Sequence, residues 1–229
     1  MTAARTANAD IGALVARTLP FALYMVILVT APLVADAVPA LDGRWLYPVK
    51  VATVAVALVL LWRQFGELKT QRLGLGGTLL AVAGGVAVFL AWINLDLPWL
   101  SIAADRAGYV PLAADGAVDW RLALPRLAGA ALVVPVMEEL FWRSLVMRWL
   151  DRRDFLAAPA GAVSLRALLI SSLVFGLEHY LWFAGILAGL VYGQLYRRSG
   201  NLWSPIIAHA VTNGLLGVWV LWSGQWQFW

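Results

Sequence analysis

The chain has 229 residues, 62% of them hydrophobic and only 13% charged, with a mean hydropathy of +0.78. This is more apolar surface than a soluble core of that size uses, so the chain reads as an integral membrane protein, all-α, a polytopic bundle of about seven spanning helices. The absence of cysteine excludes disulfides, thiolate metal sites and a cysteine nucleophile; the net charge of +4 falls in short clusters rather than one basic stripe, so nucleic acid is not an expected partner.

Residues 1–17 are polar and rich in small side chains, and the first apolar run extends from Leu19 to Val38. A cleavable signal peptide is the rival reading, since Ala35, Asp36 and Ala37 have cleavage-site spacing, but Pro32 and Asp36 fit it poorly and no soluble domain follows. The second run, Val49 to Phe65, ends in a basic loop from Arg63 to Arg72. The third, Leu73 to Leu95, is rich in glycines that allow close helix approach. Asn94 to Trp120 holds Asp96, Asp105, Asp115 and Asp119 among Trp99, Tyr109 and Trp120, the pattern of an interfacial loop with aromatic anchors.

The fourth run, Leu122 to Leu150, is long enough to span a bilayer at ~1.5 Å per residue, yet it carries Glu138, Glu139 and Arg143. Each charge at the centre of a lipid-facing helix costs about 2.5–3.5 kcal/mol, so these side chains require partners. The remaining runs are Leu165 to Phe183, Ala184 to Tyr196 and Leu202 to Trp222. Gly185, Gly189 and Gly193 form a ridge in the sixth, read as packing. Residues 1–120 supply amino-terminal helices and an outer loop, and 121–229 a catalytic core, within one membrane domain. Placing the 63–72 loop in the cytoplasm puts the amino terminus, the Arg148 to Arg166 connector and Arg197-Arg198 there too. Arg44, Lys50, Arg106, Arg121 and Arg126 fall on the opposite side, with the carboxyl terminus outside.

Polar residues recur inside three of the later runs: Glu138, Glu139 and Arg143; Glu178 and His179; His209 and Asn213. Glu139 and Arg143 are four apart, so the guanidinium can hold that carboxylate, while Glu138 lies about 100° round the helix and is freer to act as a base. Phe175 can pack beside His179, also four apart, and His209 and Asn213 place two donors on one face. Counting along the helices puts Glu138 and His179 each roughly 20 Å from the cytoplasmic ends of their runs and His209 roughly 12 Å in, so one cavity can hold all three. Glu178 faces either that cavity or the outer interface. Four readings stay open on these residues: hydrolysis by an activated water, a zinc protease using two histidines and a glutamate, a proton-coupled carrier, and a non-catalytic binding or immunity protein.

The motifs EExxxR at Glu138 to Arg143, FxxxH at Phe175 to His179 and HxxxN at His209 to Asn213 resemble, in type and order, those of the CAAX prenyl protease and bacteriocin-processing family of glutamate-type intramembrane proteases. The wording around them is similar to a bacterial branch associated with exosortase-type sorting. The resemblance covers about the last half of the chain. It implies an intramembrane endopeptidase of the bacterial cytoplasmic membrane acting on a membrane-anchored protein or peptide. Glu138 and His179 would activate water, His209 and Asn213 would form an oxyanion hole, and Glu139 and Arg143, with Phe175, would support them. No cofactor is expected, zinc being the alternative.

Overall fold

The computed structural model describes residues 2–69, 73–102, 108–159 and 161–229. Among them the chain forms seven helices: α1 (Thr2–Ala37), α2 (Leu46–Leu60), α3 (Leu75–Asn94), α4 (residues 120–149), α5 (Leu165–Leu177), α6 (Trp182–Ser199) and α7 (Trp203–Ser223). By length and composition, four segments can cross a membrane: Ile11–Ala37, Gly43–Leu60, Leu75–Asn94 and Trp203–Ser223. The expected residues 70–72, Asp105 and Arg106 lie outside the described residues.

Side-chain distribution is inverted relative to a water-soluble bundle. Val29, Leu33, Val59, Leu60, Leu75 and Val218 stand on the exterior, while Arg17, Lys50, Glu138, Glu139, Arg143, Arg148 and His209 are buried. Lipid solvates the first set at no cost, and the second set must find partners inside.

Several expected boundaries are corrected. Helix α1 begins at Thr2 rather than near Leu19, because Arg17 is taken into the interior instead of ending a polar tail. Its guanidinium donates to the Glu67 carboxylate at 2.6 and 2.9 Å, to Ser144 Oγ at 3.1 Å and to the Ala13 carbonyl at 2.9 Å. The fifth apolar run does not continue to Phe183: α5 stops at Leu177, and Phe183 belongs to α6. The N–H groups of Glu178 and His179 both turn back to the Gly176 carbonyl, the latter at 3.0 Å, which closes the helix. Lys50, counted among the outer charges, is only 5% exposed and sits within α2.

Helix α4 is continuous but not uniform, with π-helical turns at Gly129–Val133 and Leu140–Val146 on either side of Val134–Glu139. Pro135 accounts for the first. In π register the carbonyl of Ala130 would receive the N–H of residue 135, which proline lacks, so this carbonyl is left for a partner outside the helix. Elsewhere, helices meet through small residues. A Cβ at Gly189 would lie 2.8 Å from Ser172 Cα, so α6 packs on α5 backbone to backbone, as the glycine ridge predicts.

Candidate active site

Helices α4, α5 and α7 bring Glu138, His179 and His209 to the walls of one small cavity of about 180 Å³, with Phe175, Asn213 and Tyr192. A larger cavity of about 770 Å³ adjoins it, sharing Tyr24, Trp92, Arg126, Glu138, His179, Phe228 and Trp229. The depth argument from sequence therefore brings together the residues it named.

Glu138 is buried, and its Oε2 has no hydrogen-bond partner. Donor atoms of Glu138, Glu178 and His179 all lie within 4.8 Å of one another. Glu178 thus faces the site, resolving the ambiguity of the sequence reading, and its Oε1 accepts the indole N–H of Trp142 at 3.0 Å.

The Nδ1 of His179 lies 2.7 Å from the carbonyl of Phe175. A carbonyl only accepts, so Nδ1 carries the proton, and the neutral ring offers its Nε2 lone pair towards the cavity. Phe175 contributes its ring as well, at 4.7 Å from the imidazole, and Trp92 meets the same imidazole edge-on at 5.4 Å. The end of α5 therefore fixes both the position and the tautomer of His179.

Glu139 is fully buried between Arg143 and His209. Arg143 Nε lies 3.1 Å from its Oε2 and Nη1 3.2 Å from its Oε1, as the spacing of four predicts, while His209 Nδ1 lies 3.0 Å from Oε1. The link to His209 crosses 70 residues and has no local signal. Because Nδ1–H is committed to the carboxylate, His209 can donate from Nε2 only as the imidazolium. Tyr192 stacks on this ring at 4.9 Å, and its hydroxyl donates to Thr212, which in turn donates to the Gly85 carbonyl of α3. Tyr192 and Thr212 were missed from sequence, since each reads as an ordinary helix residue.

Asn213 Nδ2 donates to the Ala130 carbonyl at 2.8 Å, the acceptor freed by Pro135. One amide hydrogen is thereby used to lock α7 to α4, and the other remains for the cavity. For a divalent cation, the donor atoms that converge are those of Glu138, Glu178 and His179, two carboxylates and one imidazole. The pair of histidines expected for zinc does not converge on that set, because His209 is held on Glu139. The three-atom set fits a divalent cation in type and spacing, with the Phe175 carbonyl orienting the imidazole as such ligands require.

No curated protein and no solved structure matches the chain. Residues 120–215, which supply every site residue from Glu138 to Asn213, match the family model for type II CAAX prenyl endopeptidase Rce1-like proteins. The segment that builds the site is therefore Rce1-like, and the family it matches is one of membrane proteases.

Proposed function

We propose that the protein is an intramembrane endopeptidase that cleaves a membrane-anchored protein or peptide tail with a water activated by Glu138 and His179. The observation that carries this reading is the gap of at most 4.8 Å between a carboxylate oxygen of Glu138 and a ring nitrogen of His179. A water at hydrogen-bond distance, ~2.8 Å, from each atom fits between them. The carboxylate takes a proton from the water as it attacks the scissile carbonyl, and gives it to the amide nitrogen as the intermediate collapses and the C–N bond breaks to leave the new acid and amine. The neutral His179 holds the water by its Nε2 lone pair. Negative charge on the tetrahedral oxygen is met by His209 Nε2–H and the free amide hydrogen of Asn213. Glu139, itself held by Arg143, keeps His209 oriented.

In this reading the protein lies in a bacterial cytoplasmic membrane with its amino terminus inside, and the substrate is a carboxyl-terminal tail of the kind handled in exosortase-type sorting. In this reading the catalysis needs no metal. The convergence of Glu178 with Glu138 and His179 supports a second reading, in which those three residues hold a divalent cation that supplies the activated water.

One assay separates them. Purified protein in nanodiscs is offered N-acylated fluorescent peptides, before and after exhaustive chelation. Glu138→Gln should lower kcat by 10²–10⁴-fold with melting unchanged, and activity should survive chelation. Near-wild-type turnover of Glu138→Gln would end the water-activation reading, and activity lost to the chelator and restored by zinc would establish the metal reading.

A further inference from the structure

The larger cavity is lined by three cations that the proposed chemistry does not use: Arg44, which is paired with Asp42, and Lys50 and Arg126, for which no carboxylate partner is found among the described residues. Lys50, from the first turns of α2, is 5% exposed and lines this cavity. No carboxylate among the described residues bonds to it. Its ammonium rests on aromatic faces, 4.0 Å from the Tyr24 ring centroid and 5.0 Å from that of Tyr47. Arg126, near the start of α4, lies over the same Tyr47 ring at 4.3 Å and beside Tyr109 and Trp229 at 5.7 and 5.9 Å. Its buried Nε has no hydrogen-bond partner.

Cations elsewhere in the bundle have oxygen acceptors. Arg17 is paired with Glu67, Arg143 with Glu139, and Arg148, whose Nε is also without a partner, donates to the carbonyls of Leu156 and Ala158. Arg126 reaches one oxygen, the Tyr24 hydroxyl, whereas Lys50 rests on ring faces alone, which leave its ammonium hydrogens unspent. Two like charges sharing the Tyr47 ring repel each other unless an anion joins them.

We infer that Lys50 and Arg126 form an anion-binding subsite, and that its ligand is the terminal carboxylate of the peptide being cut. This inference rests on the endopeptidase reading for the identity of the ligand. Three features favour a chain terminus. The cavity that holds the two cations also holds Glu138 and His179, and Tyr24 lines both cavities, so subsite and base belong to one continuous channel. A peptide carboxylate enters such a channel end first, whereas a lipid phosphate is flanked by headgroup and glycerol. At about 770 Å³, the volume is in the range of sites that enclose a ligand of several residues.

The test uses full-length protein in nanodiscs and an N-acylated fluorescent peptide library with randomised last positions, prepared as free acids and as amides. Binding is measured with Glu138→Gln protein and cleavage with wild type. Free acids should bind at least tenfold more tightly than amides. Wild type should show the same preference as a change in KM, with kcat little altered. Lys50→Gln and Arg126→Gln should each collapse the preference towards unity, and Lys50→Arg should restore most of it, which a merely misfolded Gln variant would not explain. Equal binding of acid and amide, or a preference that survives both Gln substitutions, would overturn the subsite. Nanodiscs with and without phosphatidylglycerol provide the remaining arm: rates that follow the anionic lipid through Lys50 and Arg126, with acid and amide treated alike, would assign the subsite to a lipid phosphate and overturn the carboxylate. Binding does not require turnover, so an acid preference in a protein that cleaves nothing would uphold the subsite and refute the endopeptidase.

Discussion

Arg17 and Arg143 meet the same requirement by different means. Both are almost fully buried, and each is answered by a glutamate. The Glu139–Arg143 pair is legible in sequence because four residues in a helix put two side chains on one face. Arg17 and Glu67 are 50 positions apart, and in sequence both read as loop charges on the same side of the membrane. Burial pushes the Glu67 carboxyl up, but the hydrogen bonds and charge of Arg17, with the hydroxyl of Ser144, outweigh it and hold the group below its ordinary value of 4.5. A lowered folded pKa contributes stability above the unfolded value, and this contribution is lost as pH falls through the folded one. Glu67→Gln should therefore cost about 3 kcal/mol near neutral pH, roughly 6–12 °C in Tm, by leaving Arg17 buried without its counter-charge. The gap between variant and wild type should close as the pH drops below 4.5. A gap that stays constant with pH would show that the pair contributes nothing through its charge.

Among the elements, α4 and the α5–α6 pair place the site most directly. The sequence marks α4 by its intramembrane charges but does not show its two wide turns, because hydropathy does not distinguish hydrogen bonds spaced four residues apart from those spaced five apart. Pro135 is the visible trace of the first, and its consequence is a bond that spans 83 residues, where Asn213 closes on Ala130. The break after Leu177 is hidden for a related reason: Leu181 and Phe183 continue the apolar run, and only Glu178 and His179 interrupt it. Since His179 hangs from the end of α5, the spacing of α5 and α6 controls its position. Gly189→Ala puts a Cβ 2.8 Å from the Ser172 backbone, which cannot yield without moving α5. It should cost about 1–3 kcal/mol and at least tenfold in activity. Gly84→Ala is the control, because the nearest atoms there, at 3.1 and 3.3 Å, are the ends of Leu195 and Val191 side chains. Equal losses from the two substitutions would show that general packing, not the placement of α5, is what the assay reads.

Taken whole, the molecule presents apolar side chains outward and encloses its charges. That is why composition alone gave the fold class, and why the pairing of those charges was legible only where it was local. Lys50 shows the limit: one lysine near the edge of an apolar run reads as a flanking anchor, and only the placement of α1, α2 and α4 around it reveals a cavity wall. The topology can be tested without background labelling, because the chain has no cysteine of its own. Single cysteines at Ser199 and Ser223, at the far ends of α6 and α7, should react with an impermeant reagent from opposite sides of intact cells, the second from outside. The short α5 and its return through α6 make this experiment a measurement of parity. Thirteen residues rise only about 20 Å, so the pair can be counted as two crossings or as a hairpin that makes none. Either count is even. The sides taken by the two termini then depend on how many of α1, α2, α3, α4 and α7 cross, whatever the depth of the α5–α6 hairpin.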